Sequence, residues 1–191
     1  MFNFINQTFN FIKKWIFSIF FRPNYLFCYG SNSIKQLQER LQIQNIKYRP
    51  AHLENYSRIF AGTSKKWQNG GVASIYPEFG SKVYGILVEI DNEKLKILDS
   101  YEGGYYQEKI IVNTAKENVK AIVYIKKNND FCEYPSTNYL EAINTMLDDR
   151  GITKDRVILI KGIINKKLKT LGKWTKDDGY LYRHQVDDHS K

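Results

Sequence analysis

Residues 25–32 read YLFCYGSN, and this stretch decides the fold that the rest of the sequence supports. The apolar residues 25–29 predict a short buried strand, and Gly30-Ser31-Asn32 ends it in a turn. Glycine lets a ligand approach the main chain, while serine and asparagine add small hydrogen-bond donors. The turn therefore suits an anion such as a carboxylate, although Gly-Ser-Asn is also an ordinary turn sequence.

A second informative segment is residues 83–106. It predicts a strand over 83–90 and a short helix over 93–100 that starts at Asp91-Asn92. The sequence SYEGGYY at 100–106 then places Glu102 among tyrosines and beside two glycines. A carboxylate packed among aromatic rings loses water, which raises its pKa toward the range of a general base. The alternative is a solvated glutamate in a glycine-rich loop.

Four segments in this order resemble the gamma-glutamylcyclotransferase superfamily: YGSN at 29–32, GGVASIY at 70–76, VYGIL at 83–87, and Leu98-Asp99 followed by Glu102-Gly103. The similarity continues through Pro135-Ser136 and Tyr139, and it covers roughly residues 24–165. The resemblance implies an α+β fold, a small mixed β-barrel flanked by helices, with a substrate cavity at the mouth of the barrel.

The resemblance also implies roles for individual residues. Gly30, Ser31 and Asn32 are expected to hold the glutamyl head of the substrate, and Glu102 is expected to act as catalytic acid and base. Hydroxyl donors on the cavity wall are expected from Tyr29, Tyr106 and Tyr139. Because the chain has 14 tyrosines, most of them must serve elsewhere in the core or on the surface.

The implied reaction is the cyclisation of a γ-glutamyl group, whose α-amine attacks its own γ-carbonyl to give 5-oxoproline. Nucleophile and electrophile belong to one molecule, so no cofactor is expected. The reaction needs a base, an acid for the leaving nitrogen and donors for the developing oxyanion. The short spacing from Glu102-Gly103 to Tyr106 resembles the branch that acts on γ-glutamyl amines. An amino acid, a lysine side-chain amine and cysteinylglycine all remain open as leaving groups.

The sequence lacks the patterns of other catalytic classes. Cys28 and Cys132 are too few for a zinc cluster and lack metal-ligand spacing, so no metal site is predicted. Cys28 lies in the apolar strand and is expected to act as a small hydrophobic residue, and its pairing with Cys132 is left open. The three histidines are scattered, and no Ser-His-Asp pattern, P-loop or dinucleotide fingerprint is present.

Length and composition fit one domain with extensions, because 191 residues that are 42% hydrophobic can bury a core. Further strands are predicted at 70–76, 106–112 and 119–126, and further helices at 34–44 and 136–150. For the last helix, Ser136 is the predicted N-cap and Gly151 the predicted stop.

The sequence predicts three parts: an N-terminal anchor at 1–23, a cyclotransferase-like domain at 24–165 and a basic C-terminal extension at 166–191. Residues 1–21 predict an amphipathic helix whose polar side includes Lys13 and Lys14. The polar side argues against a spanning segment. It favours a helix that lies on a membrane surface or in the hydrophobic groove of a larger protein complex.

The charge of the chain points to an acidic partner. A net charge of +9 and the lysine-rich stretch 161–176 favour anionic lipid or an acidic subunit, and a solvated basic face is the alternative. No recognisable nucleic-acid-binding module is present. Because the first acidic residue is Glu39, the start of the chain also resembles a mitochondrial presequence. We expect an intracellular, membrane-associated protein whose membrane can be mitochondrial, and a cytoplasmic location is the alternative.

Two functions therefore remain open from the sequence. In the first, the chain is an active γ-glutamyl cyclotransferase that is tethered by its N-terminus. In the second, the fold serves as an accessory subunit of a large membrane complex, and catalysis is lost or incidental. Intact residues 29–32 and Glu102 favour the first function, whereas the hydrophobic start and the basic tail favour the second. The two functions are compatible.

Overall fold

The computed structural model of the protein describes residues 23–127 and 134–148, together with the backbone of three short strands near the C-terminus. The strands are β1 (Asn24–Cys28), β2 (Tyr48–Ser64), β3 (Gly70–Ile90), β4 (Tyr105–Thr114), β5 (Asn118–Lys126), β6 (Asp155–Ile158), β7 (Trp174–Asp177) and β8 (Tyr180–Arg183). The helices are α1 (Ile34–Leu41), α2 (Asn92–Tyr101) and α3 (Thr137–Asp148), and a 3₁₀ turn spans Lys65–Trp67. The predicted helix at 1–21 and the predicted stop at Gly151 lie outside the described residues.

Strands β1 to β5 close into a barrel. They follow the order β3-β1-β5-β4-β2, and a further pairing of β2 with β3 joins the two edges. All these pairings are antiparallel except that of β1 with β5, where Leu26 lies beside Ile122 in a parallel pair. The predicted α+β fold, a mixed barrel flanked by helices, is confirmed.

Strand β6 extends this sheet beyond the barrel. It runs parallel to β2, with Val157 opposite Arg58, and β8 and β7 follow it as antiparallel neighbours. Two strands of the segment predicted as a basic extension therefore join the same sheet. The domain boundary at residue 165 stays a prediction.

Strand β1 is buried on both faces, which explains its uninterrupted apolar sequence. Phe27 and Tyr29 belong to the cluster inside the barrel, and Tyr25 packs against that cluster. Leu26 and Cys28 belong to the second cluster, which lies between the outer face of the barrel and helices α1 and α2. The alternation of a strand thus divides one apolar run between two cores.

The three helices use their apolar faces to cover the barrel. Leu37 and Leu41 of α1 and Leu98 of α2 complete the outer cluster. The buried side of α3 packs into the inner cluster through Tyr139, Leu140, Ile143, Met146 and Leu147. Side-chain oxygens of Ser33, Asp91 and Ser136 accept hydrogen bonds from backbone N–H groups three residues later, as helix N-caps do.

One strand of the barrel was not predicted. β2 contains Pro50, and Asn55 and Gly62 have positive φ angles of 61° and 58°, so its burial does not alternate regularly. The predicted strands at 70–76 and 83–90 are two parts of the single strand β3. Between them the register with β2 shifts, because Glu54 pairs with Lys82 while Tyr56 pairs with Pro77. A bulge therefore stands where a break was predicted.

Gly85 provides a test of the contact between β3 and β1. A Cβ atom at this position would overlap the Cys28 carbonyl oxygen and lie 2.8 Å from the ring of Phe27. We expect Gly85→Ala to lower the free energy of unfolding by about 1–3 kcal/mol, the usual cost of overpacking. Gly103→Ala is the matched control, because no atom lies within 4 Å of its added Cβ. Urea denaturation that gives equal midpoints for the two variants would contradict this packing.

Candidate active site

A cavity of about 230 Å³ opens at the end of the barrel where β1, β2 and β5 end and where β3 and β4 begin. Its wall contains residues from these strands, from the 3₁₀ turn and from all three helices or their ends. The polar and aromatic lining residues include Tyr29, Ser31, Asn32, Arg40, Lys66, Trp67, Glu102, Tyr105, Tyr124, Lys126 and Tyr139. The turn that follows β1 is one side of this wall.

Buried Arg58 holds the start of that turn. Its side chain is inaccessible to solvent, its Nε donates to the Tyr29 carbonyl at 2.9 Å, and its Nη2 donates to the Tyr84 carbonyl at 2.7 Å. The peptide between Tyr29 and Gly30 is trans, so the N–H of Gly30 points away from Arg58. The guanidinium thereby fixes the orientation of the first backbone donor of the turn.

Tyr139 packs closely against the turn. A Cβ atom at position 30 would lie 3.2 Å from the Tyr139 hydroxyl, so glycine permits this approach. The hydroxyl accepts the N–H of Ala73 at 2.8 Å and forms a further hydrogen bond with the side chain of Ser31 in the turn. By contrast, the Tyr29 hydroxyl donates to the Tyr124 carbonyl, and the Tyr105 hydroxyl donates to the Ala73 carbonyl at 3.1 Å.

Glu102 lies directly after α2 and faces the turn across the cavity. Its Oε1 is 3.4 Å from both Asn32 Nδ2 and Arg40 Nη1, and the same Arg40 nitrogen donates to Asn32 Oδ1 at 2.8 Å. The Glu102 and Arg40 side chains are only 13% and 11% exposed. The guanidinium also stacks on the Tyr101 ring, 4.8 Å from its centroid. Helix α1 thus brings a cation to the carboxylate.

The cavity shifts the protonation equilibria of its titratable groups. Burial raises the pKa of Glu102 above its ordinary value of 4.5, while the Asn32 hydrogen bond and the Arg40 charge oppose the shift. Burial also raises the pKa of Tyr29, Tyr105 and Tyr139 well above the usual tyrosine range. The site therefore combines a carboxylate that titrates closer to neutrality with tyrosine hydroxyls that stay protonated.

Most predicted site residues meet at this cavity. Tyr29, Gly30, Ser31, Asn32, Glu102 and Tyr139 all line it. Tyr106 does not line it: the side chain is 45% exposed, and its neighbour Tyr105 takes the inward position of β4. The prediction for Tyr106 is corrected by the alternation of this strand, which sends adjacent side chains to opposite faces.

Sequence reasoning missed the basic residues of the site. Arg40 has no local signal beyond its place on the polar side of α1, and Arg58 lies in the unpredicted strand β2. Lys66 and Lys126 also line the cavity. Their ammonium groups lie 5.2 Å and 4.9 Å from the ring centroids of Trp67 and Tyr105. Arg40, Lys66 and Lys126 come from separate elements and meet only in the closed barrel, so no spacing in the sequence could have predicted them.

Two further properties concern the described part of the chain. Among residues 23–127 and 134–148, no three His, Cys, Asp or Glu side chains are grouped so that they could hold a metal ion. No helix in the described ranges has both the length and the apolar character needed to cross a membrane. Cys28 is buried as a free thiol, as expected for a small core residue, while Cys132 lies outside the described residues.

The sequence of the barrel matches a known protein family. The family model described as gamma-glutamyl cyclotransferase, AIG2-like, matches residues 26–141, which run from β1 into α3. The chain belongs to this family. The matched range contains the turn after β1, Glu102 and Tyr139.

Individual relatives of this cyclotransferase family agree with that assignment. Human gamma-glutamylcyclotransferase is 27% identical over 150 residues, which cover 72% of this chain and 77% of the human protein. The bovine protein of the same name is 33% identical over 84 residues, or 40% of this chain and 43% of its own length. A solved structure of a gamma-glutamyl cyclotransferase superposes with a TM-score of 0.62 at 23% identity, covering 69% of this chain and 82% of that one. This last similarity concerns the fold alone.

The pKa of Glu102 is open to direct measurement. We expect the carboxyl group, followed by carbon-detected NMR, to titrate above its ordinary value of 4.5. Because Arg40 stabilises the ionised form, Arg40→Gln should raise this pKa further. Arg49→Gln is the control, since Arg49 pairs with Glu117 at 2.9 Å and does not line the cavity. A Glu102 pKa that is unchanged by Arg40→Gln would contradict the ion pair.

Proposed function

We propose that the protein is a γ-glutamyl cyclotransferase, which releases 5-oxoproline from γ-glutamyl amino acids or amines by internal aminolysis. One observation carries the proposal: in a member of this family, the desolvated Glu102 carboxylate faces the Gly30–Asn32 turn across a cavity. The turn offers backbone and side-chain donors, and the carboxylate offers a base. These are the groups that the reaction requires.

Glu102 acts first as the general base. The α-ammonium of the substrate must lose a proton before its nitrogen can attack the γ-carbonyl. A carboxylate whose pKa is raised by burial accepts that proton more readily than a solvated one, while Arg40 and Asn32 favour its ionised form. Activity should therefore rise with pH as Glu102 loses its proton, through a range above the ordinary pKa of glutamate.

The turn after β1 binds and polarises the substrate. The Gly30 N–H is oriented by Arg58, and Asn32 is held by Arg40. Such preorganised donors stabilise the oxyanion without reorganisation during the reaction. Tyr139 adds a hydroxyl that stays protonated, since burial raises its pKa. Ser33 caps α1 directly after the turn, so the positive end of the α1 dipole also favours an anion here.

Glu102 acts next as the general acid. The proton taken from the ammonium is given to the leaving nitrogen when the tetrahedral intermediate collapses. Glu102 then takes the second proton that the attacking nitrogen must lose to become the lactam N–H, and passes it to the released amine, which becomes an ammonium. The C–N bond to the leaving amine breaks, and the glutamyl part departs as the five-membered lactam. The substrate and the Glu102 carboxyl group account for every proton that moves, and no electron or water is consumed.

The accessory role stays a second proposal for the ends of the chain. The basic amphipathic sequence of residues 1–21 and the net charge of +9 favour binding to an anionic membrane surface or an acidic partner. An intracellular, mitochondrial location fits the same sequence features. Residues 1–21 lie outside the described residues.

The first prediction concerns Glu102. The purified full chain should release 5-oxoproline from at least one of γ-glutamyl-alanine, ε-(γ-glutamyl)lysine and glutathione. Glu102→Gln should lower kcat by roughly 10²–10⁴-fold, the range that a general acid–base group contributes. Glu89→Gln is the control, because Glu89 pairs with Lys47 at 3.9 Å and is not in the cavity wall.

Two results would count against these assignments. Full turnover by Glu102→Gln would remove Glu102 from the reaction. No turnover of any substrate by folded wild-type protein would contradict the cyclotransferase proposal and leave the accessory role as the better explanation of the chain.

A further prediction concerns residues 1–21. The full chain should float with vesicles that contain anionic phosphatidylserine, and the Lys13→Glu/Lys14→Glu variant should float less, since each basic residue near such a surface contributes about 1 kcal/mol. Vesicles of neutral phosphatidylcholine are the control. Equal flotation of both proteins with both kinds of vesicle would contradict an electrostatic contribution from this segment.

A further inference from the structure

The charges of the cavity wall do not balance. Within the described residues, the wall carries three cationic side chains, Arg40, Lys66 and Lys126, and one carboxylate, Glu102. Arg40 is already paired with Glu102 and Asn32. In the same part of the structure, neither lysine has a carboxylate within ion-pair distance, and each ammonium lies instead over an aromatic ring. Two positive charges therefore remain for a ligand.

Lys126 is the better placed of the two lysines. It is half-buried at the end of β5, whereas Lys66 is exposed on the 3₁₀ turn. Its backbone is fixed because its N–H donates to Ser74 Oγ at 3.1 Å, and its ammonium lies 4.9 Å from the centre of the Tyr105 ring. Burial lowers its pKa, so a bound anion would stabilise the charged form.

Gly104 gives the ammonium of Lys126 its place beside the loop that carries Glu102. A Cβ atom at position 104 would lie 2.5 Å from Lys126 Nζ. The ammonium therefore rests directly over Gly104, two residues after Glu102 in the chain. Only a residue without a side chain leaves this space open. Lys126 ends β5, which lies between β1 and β4 in the sheet, and the Gly30–Asn32 turn follows β1.

We propose that Lys126, with Lys66 as a second positive charge at the mouth, binds a carboxylate on the leaving group. The site then selects γ-glutamyl amino acids and peptides over γ-glutamyl amines that carry no carboxylate. The inference rests on the proposed function, in which the Gly30–Asn32 turn holds the glutamyl head. A leaving group with a carboxylate gives the substrate a second negative charge, which matches the excess of positive charge in the wall.

The same excess charge also favours the reactive form of the substrate. A positive environment lowers the pKa of the α-ammonium, and the Lys66 charge also lowers the pKa of Glu102, so it favours the neutral amine together with an ionised carboxylate. A γ-glutamyl amino acid with a neutral α-amine carries two carboxylates and is a dianion. A γ-glutamyl amine in the same state carries only one negative charge.

The test compares two substrates that differ in one group. γ-Glutamyl-alanine and γ-glutamyl-ethylamine carry the same two-carbon chain on the leaving nitrogen, but only the first has a carboxylate on that chain. We expect wild-type protein to prefer the first in kcat/KM by at least about tenfold, as a charge-assisted hydrogen bond does. Lys126→Gln should lower this ratio by about tenfold, mainly through KM for γ-glutamyl-alanine, and adding Lys66→Gln should bring it close to one.

Two further variants test whether the position of the Lys126 charge matters, and whether loss of any lysine from this strand has the same effect. Gly104→Ala keeps Lys126 but displaces its ammonium, and it should lower the ratio in the same direction. Lys120→Gln removes an exposed charge from the same strand, outside the cavity wall, and should leave the ratio unchanged. An unchanged ratio in Lys126→Gln, or a wild-type preference for the ethylamine, would overturn the subsite.

Calorimetry distinguishes failure of the subsite from failure of the proposed function. If wild-type protein turns over neither compound, both are titrated into wild-type and Lys126→Gln protein. Tighter binding of γ-glutamyl-alanine that is lost in Lys126→Gln would support the subsite although the reaction is absent. Equal affinities, or no binding of either compound, would overturn it.

Discussion

The burial of both faces of β1 is the constraint on which the site depends. One face of this strand lies in the barrel interior and the other lies beneath α1 and α2, so the strand cannot shift by one residue without exposing an apolar set. Its pairing with β3 and β5 therefore fixes the position at which the strand ends and the Gly30–Asn32 turn begins. The same packing places α1, which carries Arg40, and α2, which ends beside Glu102. The positions of the turn, Arg40 and Glu102 thus depend on the packing of β1.

Two opposed effects determine the pKa of Glu102 in the site. Burial disfavours the ionised form of Glu102, while Arg40 and Asn32 favour it, and the outcome is a carboxyl group with a raised pKa that still ionises. The nearby tyrosines experience burial with less compensation and stay protonated. A base and neutral donors can therefore coexist in one cavity. Lys66 and Lys126 add a positive field to the cavity wall, and the Lys66 charge also favours the ionised form of Glu102.

The sequence predicted the parts of the site that are local in the chain. The turn at 30–32 and Glu102 are recognisable because glycine, a carboxylate and neighbouring tyrosines are adjacent in sequence. The choice between Tyr105 and Tyr106 was not local, because it depends on the phase of β4 relative to the core. Strand β2 escaped prediction because Pro50 and left-handed residues interrupt its pattern. The cations come from separate elements and meet only through closure of the barrel.

The parallel pairing of β1 with β5 affects how the protein reaches its native state. Tyr29 and Tyr124, joined by a hydrogen bond, are 95 residues apart in sequence, and Asn32 and Glu102 are 70 apart. Contacts of such long range form late and slowly, because the entropy of closing the loop must be lost first. During synthesis β1 emerges long before β5, so one of its two neighbouring strands is missing until β5 has been made. Until then one edge of this apolar strand is unpaired, so the nascent chain is prone to aggregate at the strand that leads into the site.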